Sequence, residues 1–140
     1  MKNEFVKKWM TPNVVFIAPD TRLPEAHRLM SEKNIRRLPV VQDGQLVGIV
    51  TRSDVRGAEP STATSLSIWE MSYLLANLKI EEIMTRNPVT VSSETTISEA
   101  ARMMLENKIG GLPVIDETRR LAGIITESDI FRLVVQTWHS

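Results

Sequence analysis

The stretch Gly48-Ile49-Val50-Thr51-Arg52-Ser53-Asp54-Val55 decides how the fold of this chain is interpreted. An apolar run followed directly by Thr-x-Ser-Asp predicts a buried strand that turns at once into a helix. Thr51 and Asp54 have the spacing of a capping box, a hydroxyl followed three residues later by an acid. This strand-to-helix corner, Thr51 to Asp54, would place a hydroxyl, a carboxylate and free helix N–H groups at one strand end. Such an arrangement suits a polyhydroxylated or phosphorylated ligand. A helix cap that binds no ligand is an equally open interpretation of these eight residues.

The same stretch recurs as Gly123-Ile124-Ile125-Thr126-Glu127-Ser128-Asp129-Ile130. When Met10 is aligned with Met84, and one extra residue is allowed in the second copy, 20 of the 46 positions from Met10 to Val55 are identical. The shared elements are Met-Thr-x-Asn-x-Val, Glu-Ala-x-Arg-x-Met-x-Glu and Ile-x-x-Leu-Pro-Val, and they occur in the same order both times. The chain is therefore a tandem duplication.

Each copy is predicted to fold as strand, helix, strand, strand, helix. The predicted segments are first strands at 14–17 and 89–91, helices ending near Asn34 and Lys108, hairpin strands at 38–41 and 46–50 around Asp43-Gly44, and a longer second-copy loop at 116–120. Asp-Gly is a strong signal for a two-residue hairpin turn. The last helix should be short after Val55, where Gly57 and Pro60 follow, and longer after Ile130.

The predicted fold class is α/β (α+β), with two β-α-β-β-α halves related by a pseudo-twofold axis. The apolar strands of one half need cover on both faces, so we expect the halves to pack sheet against sheet. Such an axis would bring the two Thr-x-Ser-Asp corners near a shared cleft.

Between the copies, residues 66–78 are predicted to form a helix. Ser67-x-x-Glu70 is a second capping-box candidate at its start. The apolar residues cover more than one side of this helix, so it either packs entirely on its own chain or presents one side to a second subunit. Trp69, Met71 and Tyr73 are of types enriched at interfaces.

Composition limits the possible functions. The chain of 140 residues carries 17 basic and 17 acidic residues, a net charge of zero, which makes nucleic acid an unlikely general partner. Residues 1–56 have a balance of +4 and the remainder −4, so either the two parts attract each other or an anionic ligand prefers the first. The absence of cysteine, of a signal-peptide core and of an apolar run of about 20 residues favours a soluble cytoplasmic protein without membrane contact.

No catalytic or metal-binding constellation is apparent in the sequence. The two histidines, His27 and His139, have no partners at the spacing of a metal site or a nucleophile triad. No Gly-rich phosphate loop with a lysine is present. The sequence therefore predicts a protein that is not an enzyme and that requires no cofactor.

The repeated motifs, taken together, resemble the CBS domain, named for cystathionine β-synthase, and two in tandem resemble a CBS pair or Bateman module. The resemblance predicts CBS domain 1 at residues 6–56, a linker at 57–79 and CBS domain 2 at 80–136. The linker, with Trp69-Glu70-Met71-x-Tyr73-Leu74-Leu75, is similar to that of stand-alone CBS proteins of the acetoin-utilization type.

This resemblance implies a regulatory module that binds AMP, ADP, ATP or S-adenosylmethionine in clefts between the two domains and forms homodimers. By position, Asp54 and Asp129 would hold the ribose hydroxyls. The residues implied to contact ribose or phosphate are Thr51, Ser53, Thr126 and Ser128. The residues implied to surround the adenine, each of which could equally be a core residue, are Val14, Val15, Ile35, Leu38, Pro88, Val89, Ile109 and Leu112.

The phosphate positions differ between the two copies. Arg36 and Arg37 precede Leu-Pro-Val in the first copy, and an arginine fork matches phosphate oxygens. The second copy has Gly110-Gly111 there, with Lys108 as the nearest basic residue, so the two sites should not be equivalent. One alternative is a structural or protein-binding dimer with no physiological nucleotide. Another is direct regulation of nucleic acid or of an enzyme partner, an unidentified protein target, through the dimer surface; the neutral net charge weighs against nucleic acid.

Overall fold

A computed structural model of the chain describes residues 4–58 and 65–138. The chain forms two compact units, and each unit contains parts of both repeats. Unit 1 comprises Met1–Val14, Gly44–Leu46 and Pro88–Ser140, and unit 2 comprises Val15–Asp43 and Val47–Asn87.

The elements alternate along the chain as an α/β protein, which confirms the predicted fold class. In order they are α1 (Val6–Trp9), β1 (Thr11–Pro12), α2 (Leu23–Lys33), β2 (Arg37–Gln42), β3 (Gln45–Thr51), α3 (Arg52–Gly57), α4 (Ile68–Asn77), a 3-10 turn (Ile80–Glu82), β4 (Thr85–Arg86), α5 (Ile97–Asn107), β5 (Gly111–Ile115), β6 (Leu121–Thr126) and α6 (Glu127–Thr137). The strands in the described ranges form two three-stranded sheets, ordered β1-β6-β5 and β2-β3-β4.

The short strand that opens each repeat joins the sheet built by the other repeat. In unit 1, β1 pairs antiparallel with β6, and Pro12 lies opposite Gly123. In unit 2, β4 pairs antiparallel with β3, and Arg86 lies opposite Gly48. The repeated Met-Thr segment and the repeated glycine of the corner motif are therefore structural partners.

The first strands predicted at 14–17 and 89–91 are too long. Each segment contributes one parallel bridge, Ile17 to Val40 and Val91 to Val114. One residue further on, the backbone N–H of Ala18 donates to the hydroxyl of Thr21 at 3.1 Å, and the second copy repeats this turn at Ser92. The side-chain hydroxyls thus divert the backbone away from the sheet.

The other local predictions are confirmed. Helices α2 and α5 end at Asn34 and Lys108, both with positive φ as in left-handed C-caps. Asp43 and Gly44 also have positive φ, as a type I′ hairpin turn requires. Helix α3 has 6 residues and α6 has 11; Pro60, proposed to stop the first, lies outside the described residues.

The loop after β5 is organised by one carboxylate. Oδ1 of Asp116 accepts hydrogen bonds from the hydroxyl and backbone N–H of Thr118 and from the backbone N–H of Arg120. These bonds, with that of the Thr118 side chain first, lower the pKa of Asp116.

Helix α4 packs on its own chain along one side. It begins with the predicted capping box between Ser67 and Glu70, and Leu75 and Leu78 pack against the core of unit 2. Its outward side is apolar, with Trp69 82% and Tyr73 70% exposed. No helix in the described ranges is both long enough and apolar enough to cross a lipid bilayer.

Candidate functional site

The first Thr-x-Ser-Asp corner lies in unit 2, where β3 runs directly into α3. The backbone N–H of Asp54 donates to Oγ1 of Thr51 at 3.2 Å, and that of Thr51 donates to Oδ2 of Asp54 at 2.8 Å. This reciprocal box satisfies two N–H groups and fixes the carboxylate at the strand end. Oδ1 of Asp54 accepts a hydrogen bond from none of the described residues, and Ser53 beside it is exposed.

The second corner lies in unit 1, where β6 runs into α6. Oδ2 of Asp129 accepts from the backbone N–H of Thr126 at 2.8 Å and from its hydroxyl at 3.2 Å. Oδ1 accepts from Nη2 of Arg132 at 2.9 Å. Asp129 is only 4% exposed, so this carboxylate is buried and paired.

Each corner is hydrogen-bonded to the segment that precedes Leu-Pro-Val. In unit 2 the backbone N–H of Arg52 donates to the carbonyl of Arg36 at 2.9 Å. In unit 1 the backbone N–H of Glu127 donates to the carbonyl of Gly110 at 3.0 Å. Each corner motif therefore lies against the Arg36-Arg37 or the Gly110-Gly111 segment of its own unit.

Two arginines that the repeated sequence pattern does not single out support these corners. Arg52 donates from Nε to the carbonyl of Ile35 and from Nη2 to that of Met30, both at 3.1 Å, and so fixes the end of α2 beside β3. Arg132 binds Asp129 as described above. Its position three residues after an aspartate in a helix is a recognisable ion-pair signal.

The predicted adenine residues occupy different environments. The side chains of Leu38 and Leu112 are fully buried in the two cores, so only their backbone could meet a ligand. The partly exposed members are Val15 and Ile35 in unit 2 and Val14, Pro88 and Val89 in unit 1; Ile109 is exposed. Of the first-copy residues, Val14 alone belongs to unit 1.

The predicted phosphate positions of the two copies differ in residue type and in exposure. Gly111 is buried, Gly110 is partly buried, and Lys108 is exposed at the C-cap of α5. Arg36 is exposed and Arg37 is partly buried. The contrast in charge that the sequence predicted is therefore also a contrast in the groups that reach the surface.

The described residues include no cluster of three or more His, Cys, Asp or Glu side chains arranged to hold a metal ion. His27 lies exposed on α2. His139 lies outside the described residues.

A family model of the CBS domain matches residues 6–61 and again residues 80–136. The chain belongs to the CBS domain family. The match covers both repeats, and the sequence-based resemblance to a CBS pair is confirmed.

Several known proteins are similar to most of this chain. The protein MJ1225 of Methanocaldococcus jannaschii is 35% identical over 138 residues, covering 94% of this chain, which spans 47% of that relative. The structure of CBSX2 in complex with AMP superposes with a TM-score of 0.81 at 31% identity, covering 96% of this chain and 98% of CBSX2.

Two further structures extend the comparison. The CBS domain pair of protein MJ0100, in complex with 5′-methylthioadenosine and S-adenosyl-L-methionine, has a TM-score of 0.78 and 33% identity, with 95% of this chain and 97% of that one covered. AcuB of Vibrio cholerae, of the acetoin-utilization type, has a TM-score of 0.79 and 28% identity, with coverages of 96% and 93%.

Proposed function

We propose that this protein is a regulatory module that binds an adenosine derivative, such as AMP, ADP, ATP or S-adenosylmethionine, and requires no cofactor. The observation that carries the proposal is the duplicated corner, in which a helix cap fixes a carboxylate beside the segment before Leu-Pro-Val. The chain is similar to CBSX2, whose structure contains AMP, and to the MJ0100 domain pair, whose structure contains 5′-methylthioadenosine and S-adenosyl-L-methionine. Both similarities support this ligand class.

The chemistry of a ribose suits such a corner. Its two adjacent hydroxyls can both donate to one carboxylate, and bonds to a charged acceptor are roughly twice as strong as neutral ones. Asp54 would take the ribose in unit 2, with Thr51 and Ser53 beside it. The phosphates would lie toward Arg36 and Arg37, whose guanidinium groups match phosphate oxygens.

The remaining assignments complete the proposal. The adenine would contact the partly exposed apolar residues and the backbone of Leu38 or Leu112. CBS domain 1 would comprise residues 6–56 and CBS domain 2 residues 80–136. Residues 57–79 form the linker. The cysteine-free chain would act in the cytoplasm, and ligand occupancy would be passed to a protein target.

Thermal unfolding tests the ligand class directly. We expect AMP, ADP, ATP or S-adenosylmethionine at about 100 times its Kd to add about 2.7 kcal/mol to the free energy of unfolding, and so to raise the Tm by several degrees. The matched control is 2′,3′-dideoxy-AMP, which lacks both ribose hydroxyls and should give a much smaller shift. A panel without any shift at millimolar concentration would contradict the proposal.

The outward side of α4 favours a second function, self-association. Four large apolar residues are more than half exposed there: Ile68, Trp69, Tyr73 and Leu74. We propose that the protein is a homodimer and that this side contributes to the contact, because aromatic residues are enriched at interface centres. A structural dimer that binds no nucleotide would use the same surface.

Light scattering at micromolar concentration tests the dimer. We expect about twice the chain mass of 15.8 kDa for the native protein, and the mass of one chain for Trp69→Glu, since a buried unpaired charge opposes association. Phe131→Glu on α6, where Phe131 is 65% exposed, is the comparison. If only the α6 variant is monomeric, the contact does not involve α4.

A further inference from the structure

We infer that Arg132 is a specificity-determining residue, which occupies the carboxylate of Asp129 and thereby directs the adenosine ligand to Asp54. The inference rests on the proposed function and names which part of the duplicated site takes the ribose. The first half-site is Thr51, Ser53 and Asp54. The second half-site is Thr126, Ser128 and Asp129.

The carboxylate of Asp129 has little capacity left for a ligand. An ionised carboxylate offers about four lone-pair positions. Three are used by the N–H and hydroxyl of Thr126 and by the guanidinium of Arg132, at 2.8, 3.2 and 2.9 Å. Because Asp129 is also 96% shielded from solvent, a ribose could reach it only by displacing Arg132.

Arg132 is also held by Trp9. Its Nη2 also donates to the carbonyl of Trp9 at 3.1 Å, and its guanidinium carbon lies 5.9 Å from the centre of the Trp9 ring. Trp9 is fixed in turn, because it is buried in the core of unit 1 and its Nε1 donates to Glu4 at 2.8 Å. Displacement of Arg132 would therefore break three favourable contacts at once.

In the described part of the chain, the first half-site has no arginine that binds its motif carboxylate. The residue that matches Arg132, three positions after the motif acid, is Gly57. Asp54 is only partly buried, and its Oδ1 accepts nothing from the described residues. Arg36 and Arg37 lie at the start of β2 on this side, whereas the second half-site has glycines at the matching positions. Ribose and phosphate therefore both favour the first half-site.

Exchanging the two matching residues tests the inference. Gly57→Arg adds the cation three residues after Asp54, and a Cβ at Gly57 meets no described atom within 4 Å, so the new side chain begins without a steric clash. Arg132→Gln removes it from the second half-site. The stoichiometry and Kd for AMP would be measured by titration calorimetry on the full chain.

The expected results differ in sign. The native protein should bind one AMP per chain, and Gly57→Arg should weaken that binding about tenfold. Arg132→Gln should either add a second AMP site or tighten AMP binding at least threefold. Arg132→Lys retains a cation and should keep the single-site behaviour. Thermal melts of each variant establish that the chain remains folded.

Matched controls separate this effect from a general change in charge. Arg102→Gln removes another arginine that pairs with an acid three residues away, Glu99, in the same unit, and should leave AMP binding unchanged. Gly57→Ala changes the backbone preference without adding a charge and should also bind normally.

Three outcomes would overturn the inference. Weaker AMP binding by Arg132→Gln would make Arg132 a ligand contact rather than a competitor. Binding that both exchanges leave unaltered would remove the inference but preserve the proposed function. Absence of binding of AMP and S-adenosylmethionine by the native chain and all variants would remove both.

Discussion

Replacing Gly123 by alanine is expected to destabilise the protein by about 3 kcal/mol, since overpacking of a close contact typically costs about 1–3 kcal/mol or more. A Cβ at this position would lie 2.6 Å from the backbone carbonyl oxygen of Thr11 and 2.9 Å from Sδ of Met10. Neither the paired strand β1 nor its carbonyl can move away without loss of the β1-β6 ladder. The alanine therefore forces the sheet of unit 1 to open at its edge.

Substitutions at two other glycines provide comparisons for this prediction. Gly48→Ala should cost about 2 kcal/mol, because the nearest atom, Sδ of Met84 at 2.6 Å, belongs to a side chain that can adjust, although the carbonyl of Thr85 is at 2.9 Å. Gly57→Ala should be neutral or stabilise by about 0.5 kcal/mol, because the site is open and alanine restricts the unfolded chain.

The measurement is the midpoint of urea unfolding followed by far-ultraviolet circular dichroism. The expected order of stability is Gly57→Ala first, then Gly48→Ala, then Gly123→Ala. If Gly123→Ala unfolds at the same urea concentration as Gly57→Ala, the approach of β1 to β6 does not depend on glycine.

Features set by neighbouring residues could be predicted from the sequence. The turn at Asp43-Gly44 and the end of α2 at Asn34 depend on backbone preferences within a few residues. The boxes at Thr51 and Ser67 also form because acid and hydroxyl are three residues apart. Duplication strengthened these predictions, since each signal appears twice.

The exchange of strands between the repeats could not be predicted in this way. Met10 and Thr11 carry no local signal that distinguishes pairing with Gly48 from pairing with Gly123, because each copy contains both motifs. The pairing depends on which sheet edge lies next to the strand in the folded chain, and therefore on contacts between residues that are distant in sequence. The diversion of the chain after Ile17 likewise depends on one hydroxyl, that of Thr21.

For the candidate site, the sequence indicates some residues and not others. It points to the motif acids and hydroxyls, and to the segments before Leu-Pro-Val, because both copies retain or visibly alter them. It does not point to Arg132, because comparison of the copies emphasises identities and Gly57 stands at the matching position. The bonds of Arg52 to the carbonyls of Met30 and Ile35 join residues distant in sequence, which local patterns do not reveal.

Asp54→Asn is expected to weaken AMP binding by about tenfold to a hundredfold, because the ribose loses a charged acceptor worth about 1.5–3 kcal/mol. Asparagine retains one oxygen that can accept the N–H of Thr51, so the helix cap and the fold should survive, which a thermal melt would establish.

Asp129→Asn is the matched control. It leaves Arg132 without its charged partner and should lower stability, while AMP affinity, measured by calorimetry, changes less than threefold. Equal losses from the two variants would contradict the asymmetry between the half-sites, and loss from Asp129→Asn alone would place the ligand at the second.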